Sequence, residues 1–246
     1  MFNFFVESAA RQENRFIIEG SDYNHIKNVL RMEKGEEFLV SCEGVSHLCC
    51  LEGYIGESAV AEIIEENYRN TELPLKIYLF QGLPKSDKME LIIQKTVELG
   101  VFKIIPCEMN RCVVKLEDKK KKSKVERWQA ISESAAKQSK RNIVPEIGDV
   151  MTFKQALNLA KNLDILLVPY ENAEGMKATK KAQEKLKNAK SVGIFIGPEG
   201  GFEESEISAA IEAGGETVSL GSRILRTETA AITSVGMCML YSELEM

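Results

Sequence analysis

The sequence predicts an α/β protein in which a small β unit precedes a larger domain that is built on a parallel sheet. Up to about residue 70, apolar residues come in short alternating stretches separated by glycines, which is typical of antiparallel strands. From Pro74 onward, continuous apolar strands alternate with longer amphipathic helices, which is the pattern of βαβ units. Strands that are apolar throughout imply burial on both faces of their sheet. We therefore expect one domain at residues 1–70 and a second at residues 74–246.

In the first domain the pattern predicts one helix and four strands. The helix is expected over residues 22–32, because Asp22 stands where an N-cap belongs and apolar residues follow at Ile26, Val29 and Leu30. The strands are expected at residues 15–18, 37–41, 46–51 and 59–64.

In the second domain the period lengthens and strands alternate with helices. Strands are expected at residues 76–80, 103–106, 165–168, 192–196 and 217–220. Helices are expected around residues 89–97, 128–135, 153–160, 182–189, 203–213 and 227–245.

Composition limits the classes of function. A 246-residue chain with 44% hydrophobic residues can bury a normal core, and the sequence contains no run of about 18 apolar residues. Together with a start that lacks a basic leader, this predicts a cytoplasmic protein. The six cysteines form no C-x-x-C pair, so we expect free thiols and no metal site. No histidine follows His47, which argues against Ser-His or Cys-His nucleophiles in the larger domain.

Charge is unevenly distributed along the chain. The net charge is −5, yet residues 103–141 carry 12 basic against 5 acidic residues, a net of +7. Two interpretations stay open for this segment. Its lysines and arginines could neutralise RNA phosphates, or the run at residues 119–122 could be a solvated lysine-rich helix or loop.

Two glycine-bearing turns follow predicted strands near the C-terminus, at residues 197–201 and 220–227. Ligands of open α/β sheets bind outside the carboxyl ends of the strands, and residues 169–171 follow a third strand. Backbone amides in these turns could hold a small molecule, or the turns could be ordinary strand-to-helix connections. A phosphate-binding loop is also open, although neither turn fits G-x-G-x-x-G or G-x-x-x-x-G-K-[ST].

Arg226 stands immediately before the last predicted helix, where a helix start disfavours a cation. A positive charge at this end of a helix usually has another reason, so we expect a functional role for Arg226. Thr227 is interpreted as the N-cap of that helix, and Glu228 as an acidic residue that complements its dipole.

Five segments together resemble the ribosomal RNA small-subunit methyltransferase E family, in order along the chain. They lie at residues 25–32, 85–101, 133–141, 196–202 and 220–231. The resemblance implies an N-terminal PUA-like β-barrel and a SPOUT-type parallel sheet with a C-terminal trefoil knot, whereas topology rules alone predict an unknotted sheet. It further implies a homodimer that uses S-adenosyl-L-methionine, without a metal, to methylate N3 of a uridine in 16S rRNA of the small ribosomal subunit.

The same resemblance implies site residues. Arg226 is the implied catalytic residue. The chemistry of N3 methylation would make it an electrostatic stabiliser of the uracil anion. It leaves Glu199 and Glu228 as candidate proton acceptors, or as a loop residue and a helix-start residue. The implied cofactor-binding residues are Leu167, Val168, Pro169, Tyr170, Glu171, Ile196, Gly197, Pro198, Glu199, Gly200, Leu220, Gly221, Ile224, Leu225, Arg226, Thr227, Thr229 and Ala230. The implied RNA-binding residues are Arg31, Lys88, Arg111, Lys120, Lys121, Arg141 and Arg223.

Two positions depart from the family pattern. Asn3 stands where an arginine is usual, which affects an N-terminal RNA contact, and Ser134 stands where alanine is common. Two other functions remain open from the sequence: an RNA-binding assembly factor of the same fold without turnover, and a binder of nucleotide phosphates.

Overall fold

The computed structural model describes residues 1–171, 173 and 175–244, and the chain divides into two compact units. The first unit contains Met1–Glu72 and Ala136–Val144. The second contains Leu73–Ala135 and the chain from Pro145 onward. The short segment Ala136–Val144, which the sequence assigned to the larger domain, therefore packs in the first unit.

The first unit is a six-stranded sheet with the order β1-β4-β5-β6-β3-β2, in which only β1 and β4 run parallel. Phe4, Phe16 and Phe38 are fully buried in its core, and the rings of Phe4 and Phe38 meet edge to face at 5.5 Å. The four predicted strands are present, and two short ones were missed because their partners are set by tertiary pairing. The strands are β1 (Asn3–Val6), β2 (Arg11–Gln12), β3 (Arg15–Ile18), β4 (Glu37–Cys42), β5 (Val45–Ile55) and β6 (Ser58–Arg69).

The helix of the first unit begins earlier than the sequence indicates. Helix α1 (Gly20–Asn24) continues into a π-helical turn over His25–Val29, so Asp22 lies in its first turn and is not its N-cap. The Asp22 carboxylate instead accepts a hydrogen bond from the Lys137 ammonium at 2.9 Å. The N-cap prediction was wrong because a tertiary ion pair uses this side chain.

Hydrogen bonds explain why the segment Ala136–Val144 belongs to the first unit. The Glu72 carboxylate accepts from Arg141 Nε at 2.9 Å and from the backbone N–H of Asn142 at 2.8 Å. Asn3 Nδ2 donates to the backbone carbonyl of Arg141 at 3.0 Å, and Ser41 donates to Asn3 Oδ1. Asn3 is buried, so it holds this unit together and makes no external contact.

The second unit is a parallel sheet flanked by helices, as the pattern predicted. Its strand order is β10-β8-β7-β12-β11-β13, with β9 beside β8. The rings of Phe80 and Phe195 stack at 4.4 Å between neighbouring central strands. The strands are β7 (Lys76–Gly82), β8 (Lys103–Glu108), β9 (Glu146–Ile147), β10 (Met151–Thr152), β11 (Ile165–Pro169), β12 (Ser191–Ile196) and β13 (Glu216–Val218).

The described part of the second unit contains six helices, each overlapping its predicted range, but α3 and α5 begin ten and six residues earlier than predicted. Helix α6 begins with a capping box in which Glu203 and Glu206 each bond the backbone N–H of the other. The predicted end of the last helix, residue 245, lies outside the described residues. The helices are α2 (Lys88–Glu98), α3 (Asp118–Ser139), α4 (Phe153–Ala160), α5 (Met176–Leu186), α6 (Glu204–Glu212) and α7 (Thr227–Leu244).

Within the described part of the chain, no helix is both long and apolar enough to cross a membrane. All six cysteines are free thiols, as expected, and all but Cys50 are buried.

Candidate active site

A cleft of about 760 Å³ opens at the carboxyl ends of β11, β12 and β13 in the second unit. Its volume is within the range of small-molecule sites, roughly 300 to 1,000 Å³. Three loops supply its walls. The lining residues are Lys88, Arg111, Pro169, Tyr170, Glu171, Ile196, Gly197, Pro198, Glu199, Gly200, Gly201, Phe202, Glu204, Ser219, Leu220, Gly221, Ser222, Arg223, Ile224, Leu225, Arg226, Thr227 and Ala230.

Buried hydrogen bonds hold two of the loops together. The hydroxyl of Thr227 donates to the carbonyl of Gly197 at 2.7 Å and accepts from Gln81 Nε2 at 3.0 Å. Gln81 is fully buried at the end of β7. The Thr227 hydroxyl therefore joins the start of α7 to the loop after β12. The interpretation of Thr227 as the N-cap was wrong, because α7 begins at Thr227 itself and tertiary hydrogen bonds use its hydroxyl.

Two glycines allow this close approach. A Cβ on Gly82 would lie 2.7 Å from the backbone nitrogen of Pro198, so only glycine fits there without a backbone shift. Gly221 has a φ of +107°, a conformation that side chains rarely adopt, and it turns the chain between β13 and Arg226.

Helix α5 supports the third wall. Thr179 is buried, and its hydroxyl donates to the carbonyl of Ser219 at 2.7 Å and accepts from the Ser219 N–H at 3.0 Å. Ser219 lines the cleft, so this reciprocal pair connects α5 directly to the wall.

At one edge of the cleft, Lys88 bridges two carboxylates. Its ammonium lies 3.1 Å from Glu199 and 3.4 Å from Glu228, and Glu199 also accepts from the N–H of Lys85. The hydrogen bond to Glu199 raises the pKa of Lys88. Burial alone would raise the pKa of Glu199, but the Lys85 N–H and the Lys88 ammonium together lower it. The ionised pair fixes the loop over residues 197–201 against α2 and the start of α7.

Three arginines stand around the opening. Arg111 donates to the carbonyl of Gly200 at 3.1 Å and so packs along that loop. Arg223 and Arg226 are exposed and lie on the loop between β13 and α7. The lining therefore holds Lys88 and these three arginines together with the carboxylates of the exposed residues Glu171, Glu199 and Glu204.

Comparisons with known proteins agree with this geometry. The RNA methyltransferase domain family matches residues 71–239, and the RNA methyltransferase PUA domain family matches residues 18–67. The ribosomal RNA small subunit methyltransferase E of Bacillus subtilis is 39% identical over 99% of this chain and 98% of its own. The chain belongs to the ribosomal RNA small subunit methyltransferase E family.

Other members of the family extend the comparison. The Mesomycoplasma hyopneumoniae protein of the same name is 37% identical over 97% of this chain and 99% of its own. The Neisseria gonorrhoeae member has a crystal structure bound to S-adenosyl methionine. It is 31% identical, has a TM-score of 0.80, and the match covers 96% of this chain and 95% of that one.

Most of the residues expected to bind the cofactor line the cleft, but three do not. Leu167 and Val168 are buried inside β11, where their side chains pack in the core. Thr229 is exposed on α7 and lies outside the lining. The wall therefore begins at Pro169, where β11 ends.

The residues expected to bind RNA fall into different environments. Arg31 is exposed in the first unit and Arg223 is exposed at the cleft, whereas Lys88 is held between two carboxylates. Lys120 and Lys121 each pair with an acidic residue of the same helix or its neighbourhood. The expectation for Arg141 is wrong: it is buried, and Glu72 binds its guanidinium.

Sequence reasoning missed part of the lining. Ser219 could have been found from its place at the end of a predicted strand. Gly201 and Ser222 lie within the two predicted turns, and Phe202 and Glu204 follow the first turn. The missed residues are Gly201, Phe202, Glu204, Ser219 and Ser222. Across residues 1–171, 173 and 175–244, no group of His, Cys, Asp and Glu is arranged to hold a metal ion.

Proposed function

We propose that this protein transfers a methyl group from S-adenosyl-L-methionine to N3 of one uridine in the 16S rRNA of the small ribosomal subunit. The observation that carries the proposal is the cleft, whose glycine-bearing loops meet at the carboxyl ends of parallel strands with Arg226 at the opening. Family membership supplies the class of reaction and of substrate.

The residues present fit the methyl donor. The cleft is large enough for a nucleoside-sized ligand, and its walls offer backbone groups of Gly197, Gly200 and Gly221 with little side chain in the way. Ile196, Leu220 and Leu225 add apolar surface for an adenine ring. When bound, S-adenosyl-L-methionine supplies an electrophilic methyl group.

Arg226 is the group that we assign to the chemistry. A uridine N3 attacks as a nucleophile only after it loses its proton, and negative charge then spreads to the neighbouring carbonyl oxygens. A guanidinium near those oxygens stabilises the anion electrostatically. We therefore assign Arg226 to stabilising the anion and not to removing the proton.

Neither Glu199 nor Glu228 is assigned as the proton acceptor. Glu199 is bound by Lys88 and by the N–H of Lys85, which lowers its pKa and makes it a weak base. Glu228 is held by the same lysine and does not line the cleft. We assign both carboxylates to fixing the loop, and we assign the proton to water at the solvent-facing opening.

The proposal includes a knotted C-terminus, a homodimer and action in the cytoplasm on assembled small subunits. Membership of the methyltransferase family supports the knot. Exposed Leu240 and Leu244 on α7 support the second, since an apolar helix face favours a protein contact. Sedimentation of the purified protein tests the dimer.

The proposed function is tested with labelled S-adenosyl-L-methionine and small subunits that lack the modification. We expect Arg226→Ala to lower the rate by about 100-fold, in the range found when an electrostatic stabiliser is removed. The affinity of Arg226→Ala for S-adenosyl-L-methionine, measured by calorimetry without RNA, should fall by less than this factor. Lys154→Ala, which removes an exposed cation on α4 outside the cleft lining, is the control for loss of charge and should keep the wild-type rate.

The result also separates the other two functions. Wild-type protein that binds subunits but incorporates no methyl group would be an assembly factor. Thermal stabilisation by ATP or NAD, with none by S-adenosyl-L-methionine, would identify a nucleotide-phosphate site and overturn the proposal.

A further inference from the structure

Helix α5 carries a stripe of lysines that the proposed chemistry does not use. Lys177, Lys180, Lys181 and Lys185 recur at helical spacing, so they lie on one face. The opposite face, with Thr179, Ala182 and Leu186, is buried against the second unit. All four lysines are exposed. We call these four residues the α5 stripe.

The stripe is a strong local concentration of charge. Residues 176–190 contain six lysines and one glutamate, a net charge of +5, whereas the whole chain has a net charge of −5. The other residues therefore carry a net −10, although residues 103–141 among them carry +7. The segment 176–190 is thus a second basic stretch of an acidic chain.

The cations of the stripe are mostly without acidic partners. Lys185 pairs with Glu216 at 2.5 Å. Among the described residues, no Asp or Glu oxygen lies within ion-pairing distance of Lys177, Lys180 or Lys181. Their charges are therefore free to act on a partner, subject to screening by salt.

The stripe also has a fixed place beside the cleft. The reciprocal hydrogen bonds between Thr179 and Ser219 connect the buried face of α5 to the cleft wall. Tyr170 and Glu171, which line the cleft, precede α5 in the chain. A polyanion that lies along the stripe is thus directed past the opening.

We propose that the α5 stripe binds the phosphate backbone of the substrate RNA and positions the acceptor strand at the cleft. From Lys177 to Lys185 the helix rises ~12 Å, which is the length of about three nucleotides of one strand at ~3.4 Å per charge. Point charges on flexible stems suit sequence-independent phosphate contacts. The inference rests on the proposed function only in taking the polyanion to be the RNA that is methylated.

The test compares wild-type protein with the double variant Lys177→Gln/Lys181→Gln. Binding to purified small subunits that lack the modification is measured over a series of salt concentrations. Removing one lysine–phosphate interaction should lower the salt slope by about 0.7 to 0.9. For the double variant we expect a slope lower by about 1.5 and binding about tenfold weaker at low salt.

The matched control is Lys154→Gln/Lys161→Gln, which removes two exposed lysines at α4. It should keep the wild-type slope and affinity. Calorimetric binding of S-adenosyl-L-methionine should be the same for all three proteins, which shows that the α5 variant is folded with an intact cleft.

An unchanged slope and affinity for the α5 variant would overturn the inference, and would leave the stripe to solvent or to an acidic protein. An equal loss of affinity in the α4 control would also overturn it, because the effect would then follow net charge alone. Wild-type protein that binds with the expected slope but transfers no methyl group would overturn the proposed function and leave the phosphate-binding stripe in place.

Discussion

Helices α3 and α5 are both rich in lysine, but their charges are used differently. Six cations of residues 103–141, four of them on α3, form ion pairs in the structure, including Lys121 with Glu108 at 3.1 Å and Arg127 with Glu90 at 2.7 Å. In the α5 stripe only Lys185 has such a partner among the described residues. The six paired cations are Lys103, Lys120, Lys121, Arg127, Lys137 and Arg141.

The difference shows why a charge count along the chain does not locate a basic surface. The count over residues 103–141 includes Glu108 and Asp118 but not Glu90, and it does not show which lysines or arginines these carboxylates pair with. An exposed ion pair contributes only about 0 to 1 kcal/mol, so a phosphate can still displace it. The two helices therefore differ in how readily their cations can bind phosphate. The following substitutions measure that difference.

The largest effect is expected for charge reversal of the α5 stripe. Lys177→Glu/Lys180→Glu/Lys181→Glu should weaken subunit binding by about 100-fold at low salt, because repulsion replaces three attractive contacts. Filter binding at two salt concentrations measures it. If this variant loses no more affinity than the variant with residues 119–122 neutralised, the two helices do not differ in RNA binding.

A smaller effect is expected when the run on α3 is neutralised. Lys119→Gln/Lys120→Gln/Lys121→Gln/Lys122→Gln should weaken binding about three- to fivefold and lower the salt slope by about one, because two of these lysines already have acidic partners. If the salt slope instead falls by about three, the ion pairs of Lys120 and Lys121 open completely when RNA binds. An unchanged salt slope would mean that residues 119–122 face solvent and do not contact RNA.

Removing the partners should act in the opposite direction. Glu117→Gln/Asp118→Asn removes the carboxylate 3.5 Å from Lys120 and one of the two carboxylates that pair with Lys121, the one at 3.2 Å. Lys121 keeps Glu108. Subunit binding should therefore tighten about twofold and its salt slope should steepen. Lys154→Gln/Lys161→Gln serves again as the control. Weaker subunit binding by Glu117→Gln/Asp118→Asn would contradict the view that these ion pairs reduce the positive charge available to RNA.

The smallest effect concerns a paired cation at the cleft. Glu199 has a lowered pKa, so its pair with Lys88 contributes stability that is complete above the ordinary value of 4.5 and is lost as pH falls below it. Glu199→Gln should therefore flatten the pH dependence of unfolding below pH 4.5, by about 0 to 1 kcal/mol. Urea unfolding across that pH range measures the difference, and parallel curves for both proteins would refute it.

The sequence predicted most of the fold because buried strands and amphipathic helices leave clear periodicity. The strands with Ile77, Ile104 and Ile194 at their centres were expected, and they are fully buried. The short strands β1, β2, β9 and β10 were missed, since two to four residues carry no period of their own. The place of residues 136–144 was missed as well, because it depends on the contacts of Arg141 with Glu72 and Asn3.

The candidate site was predictable where it depends on backbone conformation. The turns at residues 197–201 and 220–227 carry glycines and follow strands, so their meeting at one edge of the sheet could be anticipated. The sequence could not predict which cations lack an acidic partner. The partners lie far apart in sequence, such as Glu228 for Lys88 and Glu72 for Arg141.

The most direct test of the central claim identifies the methylated product. Small subunits that lack the modification are incubated with wild-type protein and S-adenosyl-L-methionine, and the 16S rRNA is digested to nucleosides for mass spectrometry. We predict one N3-methyluridine for each subunit, greatly reduced with Arg226→Ala. A different methylated nucleoside, or none, would contradict the assignment of this cleft to uridine N3 methylation.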